Sequence, residues 1–225
     1  MFTFNCLRCG ECCRSYYIVS LPHEVKGQAS FLGISEKDFV QGKMQLYLQL
    51  FPAEPSEGKM NIAAEGLPKK ILKKIEARLG FRPENFIALP MLCFKRAGPG
   101  MGAGKAKAWL GACIFYDSKK GCAIYSVRPD ECRLFPFISM DKDADFRKIY
   151  RFCKGLQKGP LVIKWDYEAV QAHFRETAKY LSEAKKKGFK ATWKNWPANG
   201  VCLLEGKLLC KISEKEFFEA LGAYS

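Results

Sequence analysis

From Ser35 onward, Phe39, Val40, Met44, Tyr47, Leu48 and Phe51 recur at the three-to-four-residue spacing that lines one face of a helix, with Gly42 interrupting it. Ser35 and Asp38 form a capping box at its start. Residues 52–67 are rich in proline and glycine and predict a loop. Pro68 suits the first turn of a second helix, running to about Gly80 on the apolar face of Ile71, Leu72, Ile75 and Leu79. Residues 86–95 and 108–116 read as buried strands, paired as a hairpin across a long connection, with Pro90 marking an edge or a bulge. Residues 122–137 are turn-rich, and 146–152 alternate like a strand. The clearest helix spans about 165–187, with Val170, Phe174, Thr177, Leu181 and Ala184 inward and three lysines and Gly188 at its C-terminal end. Residues 200–212 predict a hairpin with a three-residue loop at Glu205–Lys207. Ser213 with Glu216 caps a short final helix. The likeness of residues 34–39 to 212–217 reflects shared capping chemistry, not a repeat.

These elements predict an α+β fold: a small antiparallel sheet with metal-binding cysteine loops, flanked by helices. One cysteine-cluster domain over 1–225 is expected, with a helical insertion at about 35–85 and a helix–hairpin–helix extension at about 165–225. The composition, 48% hydrophobic and 27% charged over 225 residues, is that of a globular chain able to bury a core without a metal.

No apolar run approaches the ~18 residues of a membrane span, and the opening MFTFNCLRCG has no apolar secretion segment. A cytoplasmic location is therefore expected. The net charge of +14 suits an anionic partner. Yet 27 of the 37 basic residues are lysines spread along the chain, as on any solvated surface. Lysines and tryptophans interleave over 185–196, but no RNA-binding signature accompanies them, so nucleic acid is disfavoured.

Eleven cysteines change the picture. In a reducing compartment such abundance points to metal ligation or thiol chemistry rather than disulfides, and an odd count leaves any disulfide framework incomplete. Cys6, Cys9, Cys12 and Cys13 have the two-residue spacing that lets a tight loop aim thiolates at one centre, and Gly10 allows the turn. Cys113, Cys122, Cys132 and Cys153 form a second group. Eight thiolates make two four-ligand sites, or one site with additional structural or catalytic thiols. Adjacent Cys12 and Cys13 diverge along the backbone, so they serve different metals or only one ligates.

The segments FNCLRCGECCR (4–14), ACIFYD (112–117) and GCAIYSVRPDECRLFPF (121–137), in this order, resemble the YkgJ-type CxxCxxCC family, described as zinc- or iron-chelating. CKGLQKG (153–159) is similar to that family's terminal cysteine–glycine segment. The cysteine motif is also similar to that of flagellin lysine methylase, an iron–sulfur protein. That resemblance implies an iron–sulfur cluster, [4Fe–4S] favoured, with zinc as the alternative. It also implies redox or methyl-transfer chemistry on an unknown substrate. The chain departs from ordinary radical enzymes, because Tyr16 stands where a further cysteine would continue their motif.

Only His23 and His173 are present, so a mixed Cys/His zinc site is disfavoured, while all-thiolate coordination suits zinc or iron–sulfur. Arg14, Arg128 and Arg133 adjoin the cysteines; they offset a cluster's negative charge, grip an anionic substrate, or bond loop carbonyls. Tyr125 is a proton donor near the metal or packs beside Pro129. The glycine-rich stretch 98–105 fails as a phosphate loop, because Pro99 and Ala106 replace required residues; it reads as a flexible loop or a lid. Cys93 reads first as a strand-core residue, with an extra ligand as the alternative; Cys202 and Cys210, facing each other across the hairpin, read first as core thiols, with an accessory metal pair or a redox-labile disulfide as the alternatives. Three functions follow: an iron–sulfur redox or group-transfer protein, a zinc-binding interaction module, or a metal-delivery protein.

Overall fold

A computed structural model describes residues 2–97, 111–139, 141, 144–158 and 166–222. In chain order, the first elements are β1 (Phe2–Phe4), α1 (Glu11–Ser15), α2 (Pro22–Phe31), α3 (Glu36–Lys43), β2 (Met44–Pro52) and β3 (Met60–Ala63). Next come α4 (Lys69–Leu79), β4 (Asn85–Phe94), β5 (Arg96–Ala97), β6 (Ala112–Cys113), β7 (Tyr116–Asp117) and β8 (Gly121–Cys122). Then follow α5 (Asp130–Leu134), α6 (Phe146–Ile149), β9 (Leu156–Lys158), α7 (Tyr167–Lys187), β10 (Asn199–Leu204), β11 (Lys207–Ser213) and α8 (Glu214–Leu221). Helices with small antiparallel sheets and one larger mixed sheet make the fold α+β, as the pattern predicts. Among the described residues no helix is long and apolar enough to cross a membrane.

The chain divides into two compact units. One holds Met1–Gly33 with Phe94–Ala178, and therefore all eight motif cysteines. The other holds Ile34–Cys93 with Lys179–Ser225, and with them Cys93, Cys202 and Cys210.

The second unit is built on a five-stranded sheet of order β11-β10-β2-β4-β3. β10 runs parallel to β2, and β10–β11 and β3–β4 are antiparallel. The helix expected to continue from Ser35 through Phe51 ends at Lys43, beside Gly42, and residues 44–52 form β2. Met44, Leu46, Leu48 and Leu50 are all fully buried, so the alternating period wins over the helical one when a sheet face is available. Likewise β3 lies within the expected loop 52–67, so the 35–85 segment is not all helical. Among the described residues β3 pairs with Asn85–Ala88, so Pro90 lies beyond the paired stretch of that edge of β4. The β10–β11 turn is two residues, Glu205 and Gly206, both at positive φ, rather than three. α8 begins with the full capping box: Ser213 Oγ accepts the Glu216 N–H at 3.2 Å, and the Ser213 N–H donates to Glu216 Oε2 at 2.8 Å.

Among the described residues the first unit has the two-stranded pairs β1–β9, β5–β6 and β7–β8, and a hydrophobic cluster of Phe137, Phe146, Tyr150 and Leu156 against which Phe4 of β1 packs. Residues 86–95 do not form the expected hairpin with 108–116 among the described residues: β4 belongs to the five-stranded sheet, and β6 pairs instead with β5, just past residue 95. The glycine-rich stretch 98–105 lies outside the described residues. Residues 146–152 are not a strand. Asp145 Oδ1 accepts the N–H groups of Arg147 and Lys148 and starts α6, and one helical turn then stacks Phe146 on Tyr150.

Candidate metal centre

Residues 5–10 carry Cys6 and Cys9 as irregular chain, and Arg8 and Gly10 sit at φ 51° and 74°. Gly10 opens α1, which presents Cys12 and Cys13. A Cβ at position 10 would collide with the Tyr116 ring. The Tyr116 hydroxyl donates to the Cys9 carbonyl at 3.0 Å. Arg14 reaches the same carbonyl at 3.2 Å, Glu11 Oε1 at 3.2 Å and the Tyr116 hydroxyl at 3.2 Å. The first cysteine loop is thus bolted to β7, whose partner β8 carries Cys122 opposite Tyr116.

The remaining cysteines arrive by other routes. Asp117 accepts the Lys119 and Lys120 N–H groups at 2.7 and 2.8 Å, which holds its carboxyl below the usual range and tightens the turn into β8. Pro129 precedes α5, which carries Cys132. Glu24 Oε1 accepts the Asp130 N–H at 2.7 Å and Glu131 Oε2 accepts the Val19 N–H at 2.8 Å, tying α5 to the α2 region. Cys153 follows α6, and its N–H donates to the Tyr150 carbonyl at 2.8 Å. Asn5 then donates to the Gly155 carbonyl at 3.0 Å, and the Asn5 carbonyl fills the space a Cβ on Gly155 would need. This close approach brings the Cys153 segment against the chain leading into Cys6.

The result is one cavity of about 220 Å³ lined by Cys6, Cys9, Cys12, Cys13, Cys122, Cys132 and Cys153. Its other walls include Phe4, Tyr16, Phe135, Tyr150 and Phe152, with Arg8, Tyr125, Arg128 and Glu131 as polar members. Cys113 is buried and does not line the cavity. It still senses Cys12 and Cys122 electrostatically.

The thiols suppress one another's ionisation. Cys12 is raised far above an ordinary thiol by its hydrogen bond with Cys13, then by burial and by Cys13's charge. Burial raises Cys132 well above the usual value, and Cys113, Cys12, Glu131 and Cys122 add to it. Burial pushes Cys113 up to about 11, partly offset by Arg96, while Cys122 and Cys153 are also raised, mainly by burial. Cys12 raises Cys113, Cys122, Cys132 and Cys153 alike, which places it at the hub. Such thiols give up their protons when a cation arrives to offset the charge. Burial, with Glu24 nearby, also pushes the Glu131 carboxyl up to about 7.

The donor set is thiolate-rich and contains no histidine among the cavity walls. Arg128 lines the cavity, and its charge partly offsets the rise of Cys122, so a cation already favours the thiolate form there. Both observations fit a thiolate-bound metal group. Among the described residues, no three Cys, His, Asp or Glu side chains already converge as a metal-binding group; the thiols ring a space rather than close on a point.

The four polar residues singled out in the sequence take different positions. Arg128 lies over the Tyr125 ring at 4.1 Å, and both line the cavity. Arg8 stacks on the same ring at 4.6 Å. Arg14 serves the cysteine loop directly, and Arg133 is largely exposed beside Asp130 at 3.5 Å, away from the cavity walls. Sequence reasoning missed Tyr116, Glu131 and Arg8. Tyr116 and Glu131 stand within the motif segments, but nothing local distinguishes them from packing residues.

Residues 5–154 match the CxxCxxCC family, described as a "Putative zinc- or iron-chelating domain". Over 70 residues the chain is 37% identical to "Uncharacterized protein MJ0661" of Methanocaldococcus jannaschii, covering 28% of this chain and 38% of that relative. The chain thus spans well under half the length of the curated relative it matches. No solved structure matches the chain.

Proposed function

This chain belongs to the CxxCxxCC family and is a metal-binding protein, and from that premise we propose that its first unit holds an iron–sulfur cluster for redox or group-transfer chemistry. The observation that carries the reading is the single cavity ringed by seven thiols. A closed zinc tetrahedron uses four donors. Seven thiols around a space, with an eighth behind them, suit a polynuclear group better than one ion. Cys6, Cys9, Cys12, Cys13, Cys122, Cys132 and Cys153, which line the cavity, are the candidate ligands, with Cys113 behind them completing the set. When bound, the cluster supplies one-electron redox capacity or an iron that accepts a substrate atom.

The chain's own residues do the rest. Arg14 and Arg128 offset the negative charge of a thiolate-rich group, and Tyr125 orients Arg128. Phe135, Tyr150 and Phe152 exclude water from one wall. A reducing compartment, such as the cytoplasm, would keep the thiols available.

The test is the visible spectrum with iron, sulfide and zinc content of protein purified without oxygen. A brown protein with broad absorption near ~400 nm and about four irons and four sulfides per cluster supports the proposal. A colourless protein with stoichiometric zinc overturns it and makes this a zinc module.

A further inference from the structure

The second unit contains a thiol pair outside the residues matched to the family. Cys202 of β10 and Cys210 of β11 are direct register partners. Opposed residues of antiparallel strands stand about 4.5–5.5 Å apart at Cα, inside the ~4.4–6.8 Å window that a disulfide spans. A bridge therefore needs side-chain rotation and little backbone movement. The two side chains are hydrogen-bonded to each other, and both cysteines are free thiols. A bulge follows at once, between Cys202 and Leu203.

The two sulfurs are not equivalent. Both are buried, Cys202 completely in the interior strand β10 and Cys210 with 7% of its surface exposed on the edge strand β11. Lys70 and Lys74 of α4 place positive charge beside Cys210. Lys70 is itself held by Glu216 of α8 at 2.9 Å.

We propose that Cys202 and Cys210 are a redox-active dithiol, in which Cys210 attacks a hydroperoxide and Cys202 resolves the product as an intramolecular disulfide. In the first step the Cys210 thiolate attacks one peroxide oxygen. The S–O bond forms, the O–O bond breaks, and an alkoxide (hydroxide, from hydrogen peroxide) leaves and takes up a proton from water, giving a sulfenic acid. In the second, the Cys202 sulfur attacks the sulfenic sulfur. The S–S bond forms, the S–O bond breaks, and the departing hydroxide takes the Cys202 proton as water. Two thiols lose two electrons together, and one peroxide gains them. The hydrogen bond from Cys202, with the charges of Lys70 and Lys74, lowers the Cys210 thiol against its burial and the charge of Glu216, while the same hydrogen bond and burial raise Cys202. Position distinguishes the two: Cys210 stands on the edge strand, where an oxidant arrives first, and Cys202 on the interior strand behind it.

Full-length protein is treated with graded hydrogen peroxide, alkylated, and digested with trypsin without reduction. The readout is the linked pair of peptides 195–207 and 208–211, which carry one cysteine each. The expected result is that pair, two hydrogens lighter than the sum of its peptides, formed in folded protein at doses that leave buried Cys93 unmodified. In Cys202→Ala, dimedone should label Cys210; in Cys210→Ala, labelling of Cys202 should be at least about tenfold lower, as expected for a buried, protonated thiol. A linkage appearing only after denaturation, a bridge to any other cysteine, or equal labelling of the two overturns the proposal. The wild-type digest decides the first two points even if a variant fails to fold.

Discussion

The ring of Tyr116 occupies the space that a side chain on Gly10 would need, while its hydroxyl donates to the carbonyl of Cys9, one residue earlier. One residue thus demands the glycine and anchors the cysteine. Gly10→Ala is expected to cost at least about 1–3 kcal/mol from the positive φ alone, with the collision adding to it. Tyr116→Ala removes the collision but not the φ strain, so the two substitutions should be less than additive in a urea double-mutant cycle. Additive costs would show that Tyr116 does not constrain Gly10.

Ligand assignment separates the cysteines by unit. Cys12→Ala and Cys132→Ala, at the electrostatic hub, are expected to abolish most bound metal. Cys93→Ala, in the sheet unit, should keep the full content despite losing some stability. Metal analysis after gel filtration reads both. Full metal in Cys12→Ala would remove that residue from the ligand set.

Glu24 holds two helix starts at once. Its Oε2 accepts the Leu21 N–H at 2.7 Å and its Oε1 the Asp130 N–H at 2.7 Å. Glu24→Ala should destabilise the chain by about 2 kcal/mol, the sum of two lost caps. Glu24→Gln should recover part of that by keeping one acceptor. The check is the denaturant midpoint of each variant at constant slope.

His173 is buried in α7, and among the described residues its Nδ1 has no hydrogen-bond partner. Burial lowers its folded pKa below the ordinary 6.5, partly offset by Asp130 and Glu24. The unfolded chain therefore binds the proton more readily. Stability should fall as pH drops below about 6.5, until the folded pKa is reached. His173→Leu should flatten that slope when unfolding free energies of both proteins are compared between pH 7 and 5. Equal slopes would show that His173 is solvated.

Much of this molecule is determined locally and can be read locally. The capping chemistry of Ser213 and Glu216, the glycine that ends α4, the long α7 and the α+β class depend on neighbouring residues. So does the cysteine motif, because two-residue spacing and Gly10 decide how a loop can present thiols. What the chain by itself left open was every choice made by a distant partner. Residues 44–52 satisfy both a helical and an alternating period, and only β10 and β4 on either side make them a strand. Residues 146–152 alternate, yet Asp145 and the aromatic cluster make them a helical turn. The cavity is of the same kind. Cys6 and Cys153 lie 147 positions apart and line one cavity because Gly155 lets Asn5 approach. A local pattern sets what a segment can be; long-range contacts set which option buries the most apolar surface with its polar groups paired.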